Sequence, residues 1–237
     1  MHYFVFSYGG TGSTMLANFL SRYGKCFHLH DDSPPPFLTN KTTGPVHGPT
    51  NAKDVLLLRD KRYFLDPSNC RVIYIYRDPD VAKISRPSSA HFSHMNSCPQ
   101  TLDKHEEMVK NSPYFDLVGE NFSRKDAIIQ AYSENGVDLN GYETHFDNWT
   151  KMPWDKEYDI LLLNYSDLWD SLDTLFDFCK IPLAHISTFP KKKETWNKKN
   201  VSLDTRRKLQ QIYKRLQEKI DGSQSPRIFS GKKRAQL

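Results

Sequence analysis

Residues 7–16 of the 237-residue chain read SYGGTGSTML, with three glycines and four small hydroxyl residues between an apolar run and a helix-like segment. A strand that runs through such a turn into a helix points several backbone N–H groups, and the positive end of the helix dipole, at one spot. That arrangement binds phosphate. Gly9, Gly10, Thr11 and Gly12 would form the backbone cradle, and Ser13 and Thr14 would add hydroxyl donors at the helix start. Taken alone, the stretch is equally an ordinary tight turn between strand and helix. It departs from the G-x-x-x-x-G-K-[ST] pattern because Gly12, not lysine, precedes Ser13. Nothing in the loop then meets the outer phosphates of a nucleoside triphosphate, which disfavours an ATP or GTP kinase.

A second constellation, RDPDVAKIS, starts at Arg77 directly after the apolar run RVIYIY. An arginine at the carboxyl end of a parallel strand, with Ser85 eight residues on in the following helix, can clamp a phosphate from two sides. Arg77 would be the bidentate partner and Ser85 the hydroxyl donor. In isolation they read as a surface arginine and a solvated helix serine. Together with the glycine loop they imply a nucleotide with phosphates at two separate positions.

The elements that must hold these residues follow from hydrophobic spacing. A strand is expected over Tyr3–Ser7 and a helix over Thr14–Arg22. The stretch from Cys26 to about Pro49, which includes PPP at 34–36, reads as a long irregular loop. Arg71–Tyr76 and Tyr158–Asn164 read as buried parallel strands, and Pro79 suits the first turn of a helix through Ile84. Residues 87–140 are polar, with a helical segment at Lys125–Glu134. Further helices are expected over Asp167–Cys179 and from Ser202 or Asp204 through Ile220, with Gly222 as the stop signal. Strand and helix alternate without an internal repeat, so the expected fold class is α/β. One domain over 1–237 is expected, with a central parallel sheet flanked by helices and a basic tail from about 223.

Composition bounds the function. A 38% hydrophobic content with 13% aromatics is enough for a sizeable core, and a net charge of +5 suits an anionic ligand without arguing for nucleic acid. The four cysteines lie far apart with no CxxC, which indicates neither zinc nor a disulfide framework and fits reduced thiols in a cytoplasmic, soluble protein. No signal peptide or membrane span is read, so the five N-x-[ST] sites, at Asn40, Asn121, Asn148, Asn164 and Asn200, are taken as chance matches.

With both phosphate sites in view, the sequence resembles the sulfotransferases that use 3′-phosphoadenosine 5′-phosphosulfate. Their loop, [PG]-x-S-G-[ST]-[ST], binds the 5′-phosphosulfate, and GGTGSTML at Gly9–Leu16 is similar. Their second signature, R-[ND]-P with a serine eight residues after the arginine, binds the 3′-phosphate and is matched by Arg77, Pro79 and Ser85. Residues 160–182, ILLLNYSDLWDSLDTLFDFCKIP, look like the family's Y-E-D-L strand-and-helix segment. The resemblance implies a P-loop-like fold and transfer of a sulfuryl group to a hydroxyl or amine of an acceptor such as a carbohydrate or small molecule. It also implies the bisphosphate as product and no metal. A histidine shortly before the 3′-phosphate strand deprotonates the acceptor in cytosolic members, and GPVHGP places His47 there. An imidazole titrates near neutrality and suits the task. His28, His30, His91 and His94, with Asp31 or Asp32, are rivals.

One departure stands out. Where the family often has lysine or arginine two residues before the loop glycine, this chain has Gly10. Lys41, Lys53, Lys83 and Arg86 are the candidates to replace that charge. Lys191–Lys193 and the basic run at 231–234 can serve the nucleotide or an anionic acceptor, or be solvated surface. Tyr142, Trp149 and Trp154 are either acceptor-pocket or core residues. Two other functions stay open: an ATP-dependent small-molecule or nucleotide kinase with a degenerate loop, and a non-catalytic module that binds a nucleotide or polysaccharide.

Overall fold

The computed structural model describes residues 1–35, 38, 65–85, 124–138, 140–151, 155–192 and 201–232, with the backbone alone at 124–128. Four parallel strands, β1 (His2–Phe6), β2 (Lys25–Leu29), β3 (Cys70–Tyr76) and β4 (Ile160–Asn164), join an antiparallel edge strand, β5 (Arg227–Phe229), in the order β2-β1-β3-β4-β5. Helices α1 (Ser13–Leu20), α2 (Pro79–Ser85), α3 (Arg124–Asn135), α4 (Tyr142–Thr150), α5 (Leu172–Cys179), α6 (Leu203–Ile212) and α7 (Lys214–Asp221), with three short 3-10 segments, complete the described elements. This is the expected α/β class, with one strand reversed.

The strands are apolar on both faces because helices cover both. Phe4, Phe6, Val72, Tyr74, Ile160 and Leu162 point to one face, where they meet Trp149 of α4 and Leu209 of α6. Tyr3, Val5, Ile73, Ile75, Leu161 and Leu163 point to the other, against Leu16 and Phe19 of α1 and Phe176 of α5. The first face is strongly aromatic: Phe6 lies 4.5 Å from Trp149 and Tyr74 stacks on it at 5.0 Å, centroid to centroid. Each such side chain contributes about 1.5–3 kcal/mol on burial.

Register brings the two motifs level. Phe6, the last residue of β1, pairs with Tyr74, and just beyond the two strand ends the Tyr8 hydroxyl meets the Arg77 backbone. Strand β1 also lies between β2, which follows it in sequence, and β3, which comes later on its other side. Chain order therefore reverses at β1, and the carboxyl ends of β1 and β3 flank the crevice where open α/β sheets bind ligands.

Several expectations are corrected. Lys25–Leu29 is a strand inside the stretch read as irregular, because it pairs along β1 and buries Cys26 to Leu29. Within the expected basic tail, Arg227–Phe229 pairs with Ile160–Leu162. The helix expected from Asp167 begins at Leu172, after a 3-10 turn over Tyr165–Asp167. The last helix breaks at Tyr213, whose ring stacks on Tyr142 and whose hydroxyl donates to that of Tyr132. Tyr142 and Trp149 are 1% and 0% exposed, which makes them core residues and not pocket walls.

Candidate functional site

The loop after β1 is held in a shape that only glycine supplies cheaply. Gly9, Gly10 and Gly12 have φ of 91°, 68° and 83°. In that left-handed region a side chain costs about 1–2 kcal/mol. Two of these glycines also touch neighbours. A Cβ on Gly10 would overlap the carbonyl of Ala82 in α2, and one on Gly12 would overlap the ring of Tyr165. The loop is pinned from below by Ser7, whose hydroxyl accepts from Gly9 N–H at 3.3 Å and donates to the Ser13 hydroxyl at 3.0 Å.

Helix α1 begins at Ser13 with Gly12 as its N-cap and no capping side chain, and its first bonded amide is that of Leu16, which donates to Gly12 O. The amides of the first turn thus have no intrahelical acceptor and face outward with the dipole. Thr11 is fully buried, and its hydroxyl has no hydrogen-bond partner among the described residues. The Ser85 hydroxyl, at the end of α2, is buried in the same condition. Buried hydroxyls are ordinarily paired, and these two lie in the two segments that carry the sequence motifs.

Arg77 leaves the end of β3 toward the loop. The hydroxyl of Tyr8 binds both of its backbone groups, accepting from Arg77 N–H at 3.1 Å and donating to its carbonyl. Burial pushes the Tyr8 phenol well above its usual pKa, which keeps it a donor. The Arg77 guanidinium stacks 4.4 Å over the Tyr165 ring, and its Nη1 lies 3.5 Å from the Gly10 carbonyl oxygen. Among the described residues it forms no ion pair with a carboxylate. Partial burial lowers its pKa, offset by Tyr165 and Asp78, yet a guanidinium stays charged at neutral pH. Sequence reasoning gave no role to Tyr8 or Tyr165. The signal available for Tyr165 was its place directly after a parallel strand.

Among the other expected site residues, Lys83 is drawn away from the loop. Its Nζ donates to Asn140 at 2.7 Å and sits 3.5 Å from the centre of the Tyr132 ring. His30 stands beside the loop, with Nδ1 2.6 Å from Ser7 O. A carbonyl only accepts, so Nδ1 carries the proton and any proton uptake falls to Nε2. His28 is 2% exposed and meets the His30 ring edge-on, 4.8 Å between centroids. Gly231 N–H donates to Asp159 and Lys232 N–H to Lys156 O, which puts this part of the basic run at the amino end of β4, across the sheet from the loop. His47, His91, His94, Lys41, Lys53, Arg86 and Trp154 lie outside the described residues.

This combination of a glycine cradle on β1 and an arginine and serine after β3 agrees with a sequence match over nearly the whole chain. The family model for the sulfotransferase domain matches residues 1–233. The chain belongs to the sulfotransferase domain family. No curated protein and no solved structure matches it. Family membership makes the chain a transferase and accounts for the five-stranded, mostly parallel sheet with its helices. Among the described residues of this sulfotransferase, no helix is long and apolar enough to cross a membrane, and no group of three or more His, Cys, Asp or Glu is placed to hold a metal ion.

Proposed function

We propose that this sulfotransferase moves a sulfuryl group from 3′-phosphoadenosine 5′-phosphosulfate to a hydroxyl or amine of an acceptor, a carbohydrate or small molecule. The observation that carries the reading is the left-handed glycine loop at the uncapped start of α1, with the Arg77 guanidinium reaching to 3.5 Å from its Gly10 carbonyl oxygen. In this reading the loop from Gly9 wraps the 5′-phosphosulfate, which is bound by the amides of Gly10 to Thr14 and the hydroxyls of Thr11, Ser13 and Thr14. Arg77 and Ser85 bind the 3′-phosphate. Two anchored phosphates fix the donor so that its sulfur is presented to the acceptor, and this positioning replaces a bimolecular search by a local one.

In the chemical step the acceptor oxygen bonds to sulfur while the bond from sulfur to the bridging oxygen breaks. The electron pair stays on the 5′-phosphate, and the acceptor proton passes to an imidazole. His47 is the proposed base, with His30, through Nε2, as the alternative inside the described residues. The reaction needs no metal ion. Among the described residues Cys26, Cys70 and Cys179 are buried free thiols, and a reducing, cytoplasmic setting is part of this proposal.

A thermal-shift comparison of 3′,5′-adenosine bisphosphate, AMP and ATP with Mg²⁺ tests the donor, since a ligand that binds only the native state raises Tm. The expected order is bisphosphate above AMP, with ATP no better than AMP. Stabilisation by ATP with Mg²⁺ and none by the bisphosphate would instead identify a kinase. A normal response to the bisphosphate with no sulfuryl transfer to any of a panel of hydroxyl and amine acceptors would identify a binding module.

A further inference from the structure

We infer that Arg77 also supplies the positive charge at the 5′-phosphosulfate that position 10 cannot carry, an assignment that rests on the donor proposed above. Position 10 is closed to a lysine by two independent features. Its φ of 68° is left-handed, and a Cβ there would run into the Ala82 carbonyl. That carbonyl belongs to α2, whose Ala82 and Ile84 are 0% and 2% exposed in the core, so the helix has little room to retreat. The glycine is therefore a consequence of how closely α2 approaches the loop, and any cation has to arrive from another element.

Among the described residues, Arg77 is the cation that the fold delivers there. The Tyr8 hydroxyl fixes its backbone to the residue just before the loop, while the Tyr165 ring, which also packs on Gly12, sets the plane of its guanidinium. Nη1 then reaches the Gly10 carbonyl at 3.5 Å. Lys83 is committed to Asn140 and Tyr132. One guanidinium has five N–H donors in a rigid fork, enough to serve a 3′-phosphate and a neighbouring 5′-group together. As the bond from sulfur to the bridging oxygen breaks, negative charge grows on the 5′-phosphate. A donor fixed beforehand at that point stabilises the transition state without reorganising.

Titration calorimetry separates the two roles, with adenosine 5′-phosphosulfate as a probe lacking the 3′-phosphate and 3′-AMP as a probe lacking the 5′-group. In Arg77→Ala, affinity for both probes is expected to fall about tenfold, the scale of one lost hydrogen bond to a charged group. Arg77→Lys, which keeps the charge, is expected to lose less of the 5′-phosphosulfate affinity than Arg77→Ala. Unliganded melting curves of both variants establish that each is folded. An Arg77→Ala protein that loses 3′-AMP but binds adenosine 5′-phosphosulfate as the wild type does would overturn the assignment. A wild-type protein that binds neither probe would overturn the donor reading itself, and the inference with it, before any variant is compared.

Discussion

At the carboxyl ends of β1 and β3, Arg77 is half-buried with no carboxylate ion pair among the described residues, whereas between α4 and α7 Lys219 is held at 2.7 Å by both Glu143 and Asp147. The second region also ties Arg215 to Glu143 at 2.9 Å, so its charges answer one another within the protein. In the first, the Thr11 and Ser85 hydroxyls have no hydrogen-bond partner among the described residues, and the first-turn amides of α1 have no intrahelical acceptor. Buried polar groups cost free energy unless paired. Unpaired groups in the two segments that carry Gly10 and Arg77 are the ones the proposed ligand would satisfy.

Each region also contains a left-handed glycine, and these give the largest contrast. Gly10→Ala adds both conformational strain of about 1–2 kcal/mol and the collision with Ala82, so it is expected to lower Tm and to abolish stabilisation by the bisphosphate. Gly141, the N-cap of α4, has φ of 64° and open space around a Cβ. Gly141→Ala is expected to show the strain alone, with the ligand response intact. Equal ligand responses in the two variants would remove the distinction.

The orphan hydroxyls give the next effect. Ser85→Ala and Thr11→Val remove a buried polar atom that has no partner among the described residues, so Tm without ligand is expected to hold or rise. Affinity for the bisphosphate is expected to fall about fivefold, or about 1 kcal/mol, for each. Calorimetry and melting curves on the same samples check both halves. A variant that loses stability yet binds normally would show that its hydroxyl serves the fold.

The smallest effect lies on the helix seam. Lys219 is 28% exposed, and Lys219→Met leaves Glu143 to Arg215 alone and Asp147 to the exposed Lys151 alone. Partly solvated pairs contribute about 0.2–1 kcal/mol each, so a loss of that order is expected in Tm, shrinking at high salt, with unchanged affinity for the bisphosphate.

What the sequence disclosed follows the same division. The two phosphate motifs and the strands behind them were legible because each is local: glycines at a strand end, and RVIYIY running into Arg77. Strand β2 was hidden because KCFHL is short, begins with an exposed lysine and runs into a Pro-rich stretch; its pairing with β1 is what makes it a strand. Three-residue β5 carries no pattern of its own. The break at Tyr213 answers to Tyr132 and Tyr142, far away in sequence. Tyr8 and Tyr165 were likewise invisible as site residues, since their contacts with Arg77 exist only once β1, β3 and β4 lie side by side. The reason for Gly10 was equally out of reach, because it depends on where α2 passes.

The central claim is that one crevice between β1 and β3 holds both ends of the nucleotide, and a crystal structure with 3′,5′-adenosine bisphosphate tests it most directly. The predicted result has the 5′-phosphate on the amides of Gly10–Thr14, and the 3′-phosphate between Arg77 and the Ser85 hydroxyl. A bisphosphate bound elsewhere, or bound with its 3′-phosphate on the glycine loop, would contradict it.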